Sequence, residues 1–144
     1  MNGTLNANQS PRITIDLHGS LSKPQSFEVI IDTGFTGSVS MPLIKALPLG
    51  LVLFSTASFI LADGSKENTF LCPGMARIDG EEKPVIISLS KGNDILVGTE
   101  FLSTFGANLE LDYNKKVFSL KTSEIVAENK QVENDDSKNV AKIS

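Results

Sequence analysis

An acidic residue stands where an apolar run meets a glycine-bounded loop. Residues 29–42 read VIIDTGFTGSVSMP, so three aliphatic residues lead directly into Asp32, which is followed by Thr33 and Gly34. A charge at the end of a buried strand is costly unless it is paired, hydrogen-bonded or used in a reaction. Asp-x-Gly is also an ordinary way to end a strand, because Asp initiates turns and Gly tolerates their backbone angles. The surrounding elements must decide between chemistry and a plain turn.

The chemistry open to this aspartate is the activation of water by two carboxyl groups. Two such groups at hydrogen-bond distance share one proton, because both cannot ionise at low cost, and they titrate as a unit. The ionised member takes a proton from water while the protonated member polarises the carbonyl under attack. Asp-Thr-Gly occurs once in the chain, and the acids near other apolar runs, Asp94 and Asp112, lack the following Thr/Ser-Gly. A pair would therefore need Asp32 from two copies of the chain on a two-fold axis.

Composition and charge argue against several other classes of function. The net charge is −4 and the pI is about 5.0, which gives no basic surface for nucleic acid and weakly disfavours anionic membranes. One cysteine, Cys72, and one histidine, His18, provide no ligand spacing typical of zinc, so we expect no metal and no cofactor. Cys72 lies in an apolar run, which favours a small core residue over a nucleophile.

The beginning of the chain and its hydropathy lead to an expectation about location. The first ten residues, MNGTLNANQS, have neither the basic nor the apolar region of a secretory signal. No apolar run approaches the length of a membrane span. A single cysteine also fits a reducing compartment. We therefore expect a cytoplasmic protein without membrane partners.

Short strands alternate with turn signals along most of the chain, the pattern of a small all-β barrel or sandwich. The predicted strands cover residues 12–17, 25–31, 38–41, 52–61, 69–78 with an interruption at 73–74, 85–90, 109–112 and 117–120. One helical turn is predicted at 43–47, stopped by Pro48, and one short helix at 99–105, with Gly106 past its end. We divide the chain into a flexible arm (1–10), one domain (11–121) and a polar, disordered tail (122–144).

These landmarks resemble the retropepsin-like aspartic proteases, the retroviral type and its bacterial relatives. The Asp-Thr-Gly at 32–34 matches the catalytic motif of that family. Residues 95–98, ILVG, followed by 99–102, TEFL, match its second landmark, an apolar group and a Gly before a short helix. The turn around residues 62–65 falls where the family has its flap. The resemblance covers about residues 11–121 and implies a small closed all-β barrel with one short α-helix, working as a homodimer.

The resemblance also implies site residues and an activity. Its site residues are Asp32, Thr33 and Gly34 as catalytic; Phe35, Ala62, Asp63, Gly64 and Ser65 as flap and substrate-binding; and Leu96, Val97 and Gly98 as the structural landmark. Thr33 would hydrogen-bond across the dimer, and Gly34 would permit close approach of the two loops. The implied activity is that of an aspartic endopeptidase acting on peptides or proteins. A non-enzymatic peptide-binding or dimerisation module on the same fold is the alternative, and a β-rich structural domain with an ordinary Asp-Thr-Gly turn is a third.

Two departures from the family pattern bear on the pH optimum and on the dimer, while a third is that Thr99 and Glu100 stand where retroviral enzymes have an Arg after the landmark Gly. Phe35 follows the motif, where retroviral enzymes carry Ala and pepsin-like enzymes Ser or Thr, so no hydroxyl at this position can donate to the carboxylate. The sequence therefore predicts an activity optimum at mildly acidic pH, and it leaves Phe35 either in a substrate pocket or in the dimer contact. The polar tail, with acids at 135 and 136, would make a poor sheet strand. We therefore expect dimer contacts on surfaces other than exchanged terminal strands.

Overall fold

Strands dominate the fold of the computed structural model, which describes residues 1–6, 9–52, 55–60 and 62–123. The strands found there are β1 (Asn2–Thr4), β2 (Arg12–His18), β3 (Gln25–Ile31), β4 (Val39–Pro42), β5 (Ser55–Ile60), β6 (Lys66–Ile78), β7 (Glu81–Ser90), β8 (Leu96–Val97), β9 (Asn108–Asp112) and β10 (Val117–Lys121). The helical elements found there are α1 (Leu43–Ala46), a 3-10 turn at Leu47–Leu49, and α2 (Thr99–Thr104). The tail predicted to be disordered lies outside the described residues from residue 124 onward, as do parts of the strand predicted at 52–61.

The larger sheet closes into a barrel. Over the described residues its strand order is β2-β3-β8-β4-β7-β6-β5, and β2 also pairs with β6. The closing register places Asp16 opposite Arg77 and His18 opposite Met75. Because β2 pairs on both sides, β5 is left as the outer strand of a hairpin that extends from β6. The predicted closed all-β barrel with a short helix is confirmed.

The core comes from strand alternation and from the one amphipathic helix. Along β2, Ile13, Ile15 and Leu17 are buried while the residues between them are not, as expected for a strand with one face on the core. Phe101 in α2 and Phe105, which directly follows the helix, are fully buried, with ring centroids 4.9 Å apart. Burying each such side chain contributes roughly 1.5–3 kcal/mol. The helix therefore packs its aromatic face against the barrel.

Of the two predictions that rest on a proline, one is wrong. The strand interruption expected at 73–74 does not occur, because β6 pairs with β7 straight through Pro73, opposite Ile86, and Gly74, opposite Val85. Gly74 is needed because a Cβ there would lie 2.7 Å from Ile87 Cδ1 and 3.1 Å from a backbone oxygen of the crossing strand. The helical turn predicted at 43–47 is found as α1, which ends with Leu47 as its C-cap, directly before Pro48. The 3-10 turn at Leu47–Leu49 was not predicted, and Gly50, with φ of 59°, ends it.

The beginning of the chain is also different from the flexible arm predicted for residues 1–10. Strand β1 pairs antiparallel with β10, which pairs with β9 to form a second, three-stranded sheet within the described residues. The Met1 amine donates to Leu120 O (2.8 Å), and Leu120 N–H donates to Met1 O (2.7 Å). Leu5, just past β1, is buried. A polar stretch without periodicity thus becomes a strand because β10 offers an edge, which no local pattern reveals.

Strand β8 is the element that joins the two halves of the barrel. It runs parallel to β3, with Ile31 opposite Val97, and antiparallel to β4, with Val39 opposite the same residue. Gly98 follows at once and begins the turn into α2. A Cβ at this position would overlap the carbonyl oxygen of Phe35 and lie 2.5 Å from the carbonyl oxygen of Gly37. Both are backbone atoms, so the junction has room for glycine only.

We therefore expect Gly98→Ala to lower the free energy of unfolding by about 3 kcal/mol, because the backbone must shift to accept the methyl group. Urea denaturation followed by circular dichroism measures the loss. Gly92→Ala is the matched control, since the nearest atom to a Cβ there is Ser90 Oγ at 3.9 Å. Equal stabilities of the two variants would contradict the close packing at Gly98.

An ion pair between β2 and β7, the two strands that flank β6, should make stability depend on pH. His18 Nε2 lies 2.6 Å from Glu82 Oε2, and Nδ1 lies 2.9 Å from Gly19 O. The Gly19 carbonyl first, and the Glu82 carboxylate second, raise the pKa of His18 above its ordinary value of 6.5. Because the folded pKa is the higher one, the stabilisation is complete below the unfolded pKa and is lost as pH rises through the folded value.

We expect Glu82→Gln to lower the melting temperature at about pH 5.5, below the unfolded pKa of His18, and to have a smaller effect at about pH 8.5, because the stabilisation is lost as pH rises through the raised folded pKa. Thermal unfolding at both pH values tests this. Glu81→Gln serves as the control, because its partner Lys83 (3.5 Å) stays charged throughout. If Glu82→Gln lowers the melting temperature equally at both pH values, the charge of His18 does not contribute to stability through this pair.

Candidate active site

Asp32 follows the last residue of a central strand, and its backbone is held on both sides. Its N–H donates to Val97 O (2.9 Å), and its carbonyl accepts the N–H of Phe35 (3.1 Å). One residue earlier, Ile31 N–H donates to Pro11 O (3.0 Å). The strand therefore ends between two neighbours, and the position of the aspartate is set by the barrel rather than by the loop alone.

Asp32 is half-buried, and its carboxylate has one fixed oxygen. Oδ1 accepts the N–H of Gly34 at 2.9 Å. Within the described part of the chain, Oδ2 has no hydrogen-bond partner. A Cβ at Gly34 would approach Oδ1 to 3.2 Å, closer than ordinary contact. Glycine at this position thus allows the loop to fold back on the acid, and one oxygen stays open to a water or a second carboxyl group.

The start of α2 is bonded to the loop that follows Asp32. Thr99 N–H donates to Phe35 O (2.9 Å), Glu100 N–H to Gly37 O (3.2 Å), and Thr99 Oγ1 to Thr36 O (3.4 Å). The first N–H groups of a helix have no partner within the helix, so here the loop supplies their acceptors. The apolar landmark Leu96-Val97-Gly98 predicted from the sequence is thereby brought against the Asp32 loop, as Leu96 opposite Ile30 and Val97 opposite Ile31.

Phe35 packs on its own loop. A Cβ at Gly37 would lie 2.6 Å from Phe35 Cζ, and one at Gly98 would lie 2.7 Å from Phe35 Cδ2, so the ring covers both glycines. The side chain is half-buried. Its packing role in the subunit explains why an aromatic residue can follow the motif. A role in substrate binding or in a dimer contact stays a prediction.

The hairpin between β5 and β6 has a preformed tip. Asp63 Oδ1 accepts the backbone N–H of Ser65 at 2.9 Å and its hydroxyl at 2.6 Å, and Gly64 adopts φ of 87°. The hydroxyl of Ser65, then its N–H, holds the pKa of Asp63 below its ordinary value. All four residues of the predicted tip, from Ala62 to Ser65, are exposed. The predicted turn is confirmed, and its function as a flap stays a prediction.

A cavity of about 360 Å³ opens beside Asp32 and Thr33. Its other walls come from the N-terminal loop (Gln9, Ser10, Pro11), from β3 and β8 (Ile30, Ile31, Leu96) and from the C-terminal hairpin (Leu109, Leu111, Tyr113). Gln9 Oε1 is buried and has no hydrogen-bond partner among the described residues. Thr33 is exposed. The cavity thus has a polar end at the acid and an apolar end at the C-terminal hairpin.

The sequence reasoning did not find the walls of this cavity, although one of them was within reach. The register of β2 and β3 places Arg12 opposite Ile30, so continuing it places Ser10 beside Asp32. A hairpin register read from the sequence could therefore have located the N-terminal loop at the site. The wall from Leu109, Leu111 and Tyr113 had no comparable signal, because it depends on how the second sheet packs against the barrel.

Other chemistry has little support in the part of the chain that is described. No group of three His, Cys, Asp or Glu side chains there lies close enough to hold a metal ion. No helix among those residues is long and apolar enough to span a membrane. Cys72 is buried, and burial raises the pKa of its thiol, which disfavours the thiolate. Asp32 and its loop therefore remain the candidate for catalysis.

Comparisons with known proteins bear on the fold. No protein-family model and no curated protein sequence matches the chain. A solved structure of the EIAV protease in complex with an inhibitor is 18% identical and covers 76% of this chain and 100% of its own, with a TM-score of 0.55. A retropepsin-like aspartic protease from Rickettsia conorii is 16% identical and covers 83% of this chain and 88% of its own, with a TM-score of 0.55. The chain therefore has the fold of the retropepsin-like aspartic proteases.

Proposed function

We propose that the protein is an aspartic-type endopeptidase that hydrolyses peptide bonds with a water activated by two Asp32 carboxyl groups, one from each subunit of a homodimer. The observation that carries the proposal is the state of the Asp32 carboxylate. One oxygen accepts the Gly34 N–H, the other has no hydrogen-bond partner among the described residues, and Asp32 lines a cavity. If Asp32 only began a turn, the end of β3 would not need hydrogen-bonded neighbours on both sides. The shared fold with two proteases adds support.

The mechanism follows from two facing carboxyl groups that share one proton. The ionised Asp32 accepts a proton from the water while the water oxygen forms a bond to the peptide carbonyl carbon. The protonated Asp32 of the other subunit gives its proton to the carbonyl oxygen, which yields a neutral tetrahedral diol. The Asp32 that took the proton from water then gives it to the amide nitrogen, the C–N bond breaks, and a diol hydroxyl returns its proton to the other Asp32, which leaves a carboxylic acid, an amine and the original pair. The Gly34 bond orients one carboxylate in advance, so less reorganisation is needed.

The neighbouring residues receive roles by the same reasoning. The exposed hydroxyl of Thr33 is free to meet the partner loop, where it can donate and accept at once. The hairpin tip at residues 62–65 is the proposed flap, which closes over an extended peptide and excludes water. Its internal bonds from Ser65 to Asp63 keep the tip shaped while the strands move. A peptide or protein is therefore the proposed substrate, and no nucleic acid or membrane takes part.

The first test replaces the acid without changing its shape. We expect Asp32→Asn to lower kcat/KM by at least about 10³-fold, as for the loss of an essential catalytic group, with an unchanged melting temperature. Hydrolysis of denatured casein and of a fluorogenic peptide library provides the measurement. Asp94→Asn is the matched control, because this exposed acid lies near β8 but outside the motif. If Asp32→Asn retains activity, the dyad is ruled out; if wild type binds peptides but never cleaves them, the non-enzymatic module is the better description.

The second test is the pH profile of kcat/KM. Because Phe35 offers no hydroxyl to the carboxylate, we expect the maximum in the mildly acidic range, above about pH 4. Rates on a soluble peptide between mild acid and neutral pH locate it. A maximum below about pH 3 would show that other groups set the ionisation of the dyad.

A further inference from the structure

The three-stranded sheet has two edge strands, β1 and β9, and each pairs only with β10 among the described residues. The strand order β1-β10-β9 gives β10 a partner on each side, and β1 comes from the same chain. Among the residues that the structure describes, no strand pairs with the far side of β9. An unpaired strand edge presents a row of backbone donors and acceptors that another strand can bind. Because β1 is already held in its own subunit through Met1 and Leu120, exchange of terminal strands would first have to break these bonds.

The two faces of β9 differ in character. Leu109 pairs with Leu120, and Leu111 pairs with Phe118, so both leucines lie on the inner face. The alternate residues Asn108, Glu110 and Asp112 lie on the outer face. Phe118 is 4% exposed, yet Leu111 is 37% exposed. On the inner face of this sheet, the side chain of Phe118 in β10 is therefore covered, whereas that of Leu111 in the edge strand β9 is partly uncovered.

The uncovered part of β9 adjoins the candidate active site. Leu109, Leu111 and Tyr113 line the cavity that holds Asp32. Leu111 and Tyr113 also line a wider groove of about 1170 Å³ along the three-stranded sheet. Tyr113 is 56% exposed. A molecule bound along this edge would thus extend an apolar surface that continues to the acid.

We infer that the occupant of this edge is a second copy of the chain, paired antiparallel through β9 about a two-fold axis beside Glu110. The inference rests on the proposed function, which needs a second Asp32. The pairing would join two preformed three-stranded sheets into one sheet of six strands, without strand exchange. A two-fold contact must be complementary to itself, and β9 can meet that condition in more than one register.

The sequence of β9 selects the register. With Glu110 opposite its own copy, all five residues of the strand pair, and each Leu109 faces the partner's Leu111 on the inner face. Each Asn108 then faces the partner's Asp112, which leaves Glu110 as the only like-charge pair within β9. A register centred on Leu111 would set Glu110 against the partner's Asp112 twice. One centred on Leu109 would leave residues 111 and 112 without strand partners. Like charges directly opposite destabilise a sheet, so the first register is preferred.

A cysteine placed on the axis tests the interface. Residues opposite each other in antiparallel strands have Cα atoms about 4.5–5.5 Å apart, within the range of a disulfide. We expect Glu110→Cys to form a covalent dimer under mild oxidation on a non-reducing gel. Ser119→Cys is the matched control, since it lies opposite Glu110 on the same face of β10 and would be roughly 14 Å from its copy, three strand spacings away. Cys72 is buried and does not compete.

Charge variants test the register in solution. Removing the one facing carboxylate pair with Glu110→Gln should tighten the dimer Kd by about two- to fivefold. Asp112→Asn should leave it unchanged, because Asp112 faces an asparagine of the partner. Leu111→Asp should abolish the dimer by placing a charge on the apolar face. Sedimentation velocity gives each Kd, and equal tightening by Glu110→Gln and Asp112→Asn would overturn the register.

Casein hydrolysis by the same samples separates the two proposals. Cross-linking at residue 110 with no hydrolysis would keep the interface and refute the proposed function. An active, dimeric enzyme that does not cross-link at residue 110, or that cross-links equally at 119, would refute the interface and leave the proposed function standing. Cross-linking at 110 alone in an active enzyme supports both.

Discussion

The hydrogen bond from Asp32 N–H to Val97 O is the contact on which the rest of the site depends. It ties the loop that carries the acid to β8, and β8 is itself held between β3 and β4. The glycine after Val97 then lets α2 start directly against the same loop, where the carbonyls of Phe35 and Gly37 accept its first N–H groups. Strand, loop and helix therefore hold one another, and a carboxylate on such a support needs little further ordering before it reacts.

The same support explains why one subunit is an incomplete site for the proposed reaction. The barrel provides one oriented acid from the Asp32 motif, which lines a cavity and has one oxygen without a hydrogen-bond partner among the described residues. The far wall of that cavity is the C-terminal hairpin, where Leu111 and Tyr113 are exposed. Of the two edge strands of the second sheet, β9 is the one that lines this cavity, and no other strand of the described residues pairs with its far side. Catalysis and self-association would thus use adjoining parts of one surface.

Local signals predicted much of this fold. The strand at 25–31, the turn at 62–65 and the helix from 99 depend on alternation, on Asp-Gly and on Gly106 after the helix, all of which are effects between near neighbours. The predictions fail where a distant backbone supplies the partner. Pro73 stays in a strand because β7 continues to pair with it, and the polar residues of β1 become a strand because β10 offers an edge. Gln9 reaches the site only through the hairpin register.

The sequence by itself determined the acid, its loop glycines, the apolar ILVG landmark and the all-β class, because residue types and short spacings specify turns and strand faces. Tertiary structure decided which elements meet. It brought residues 96–98 to the Asp32 loop, placed the ring of Phe35 over Gly37 and Gly98, and held the N-terminal strand in its own subunit. These outcomes depend on hydrogen bonds and packing between residues far apart in the chain, and no window of sequence contains both partners.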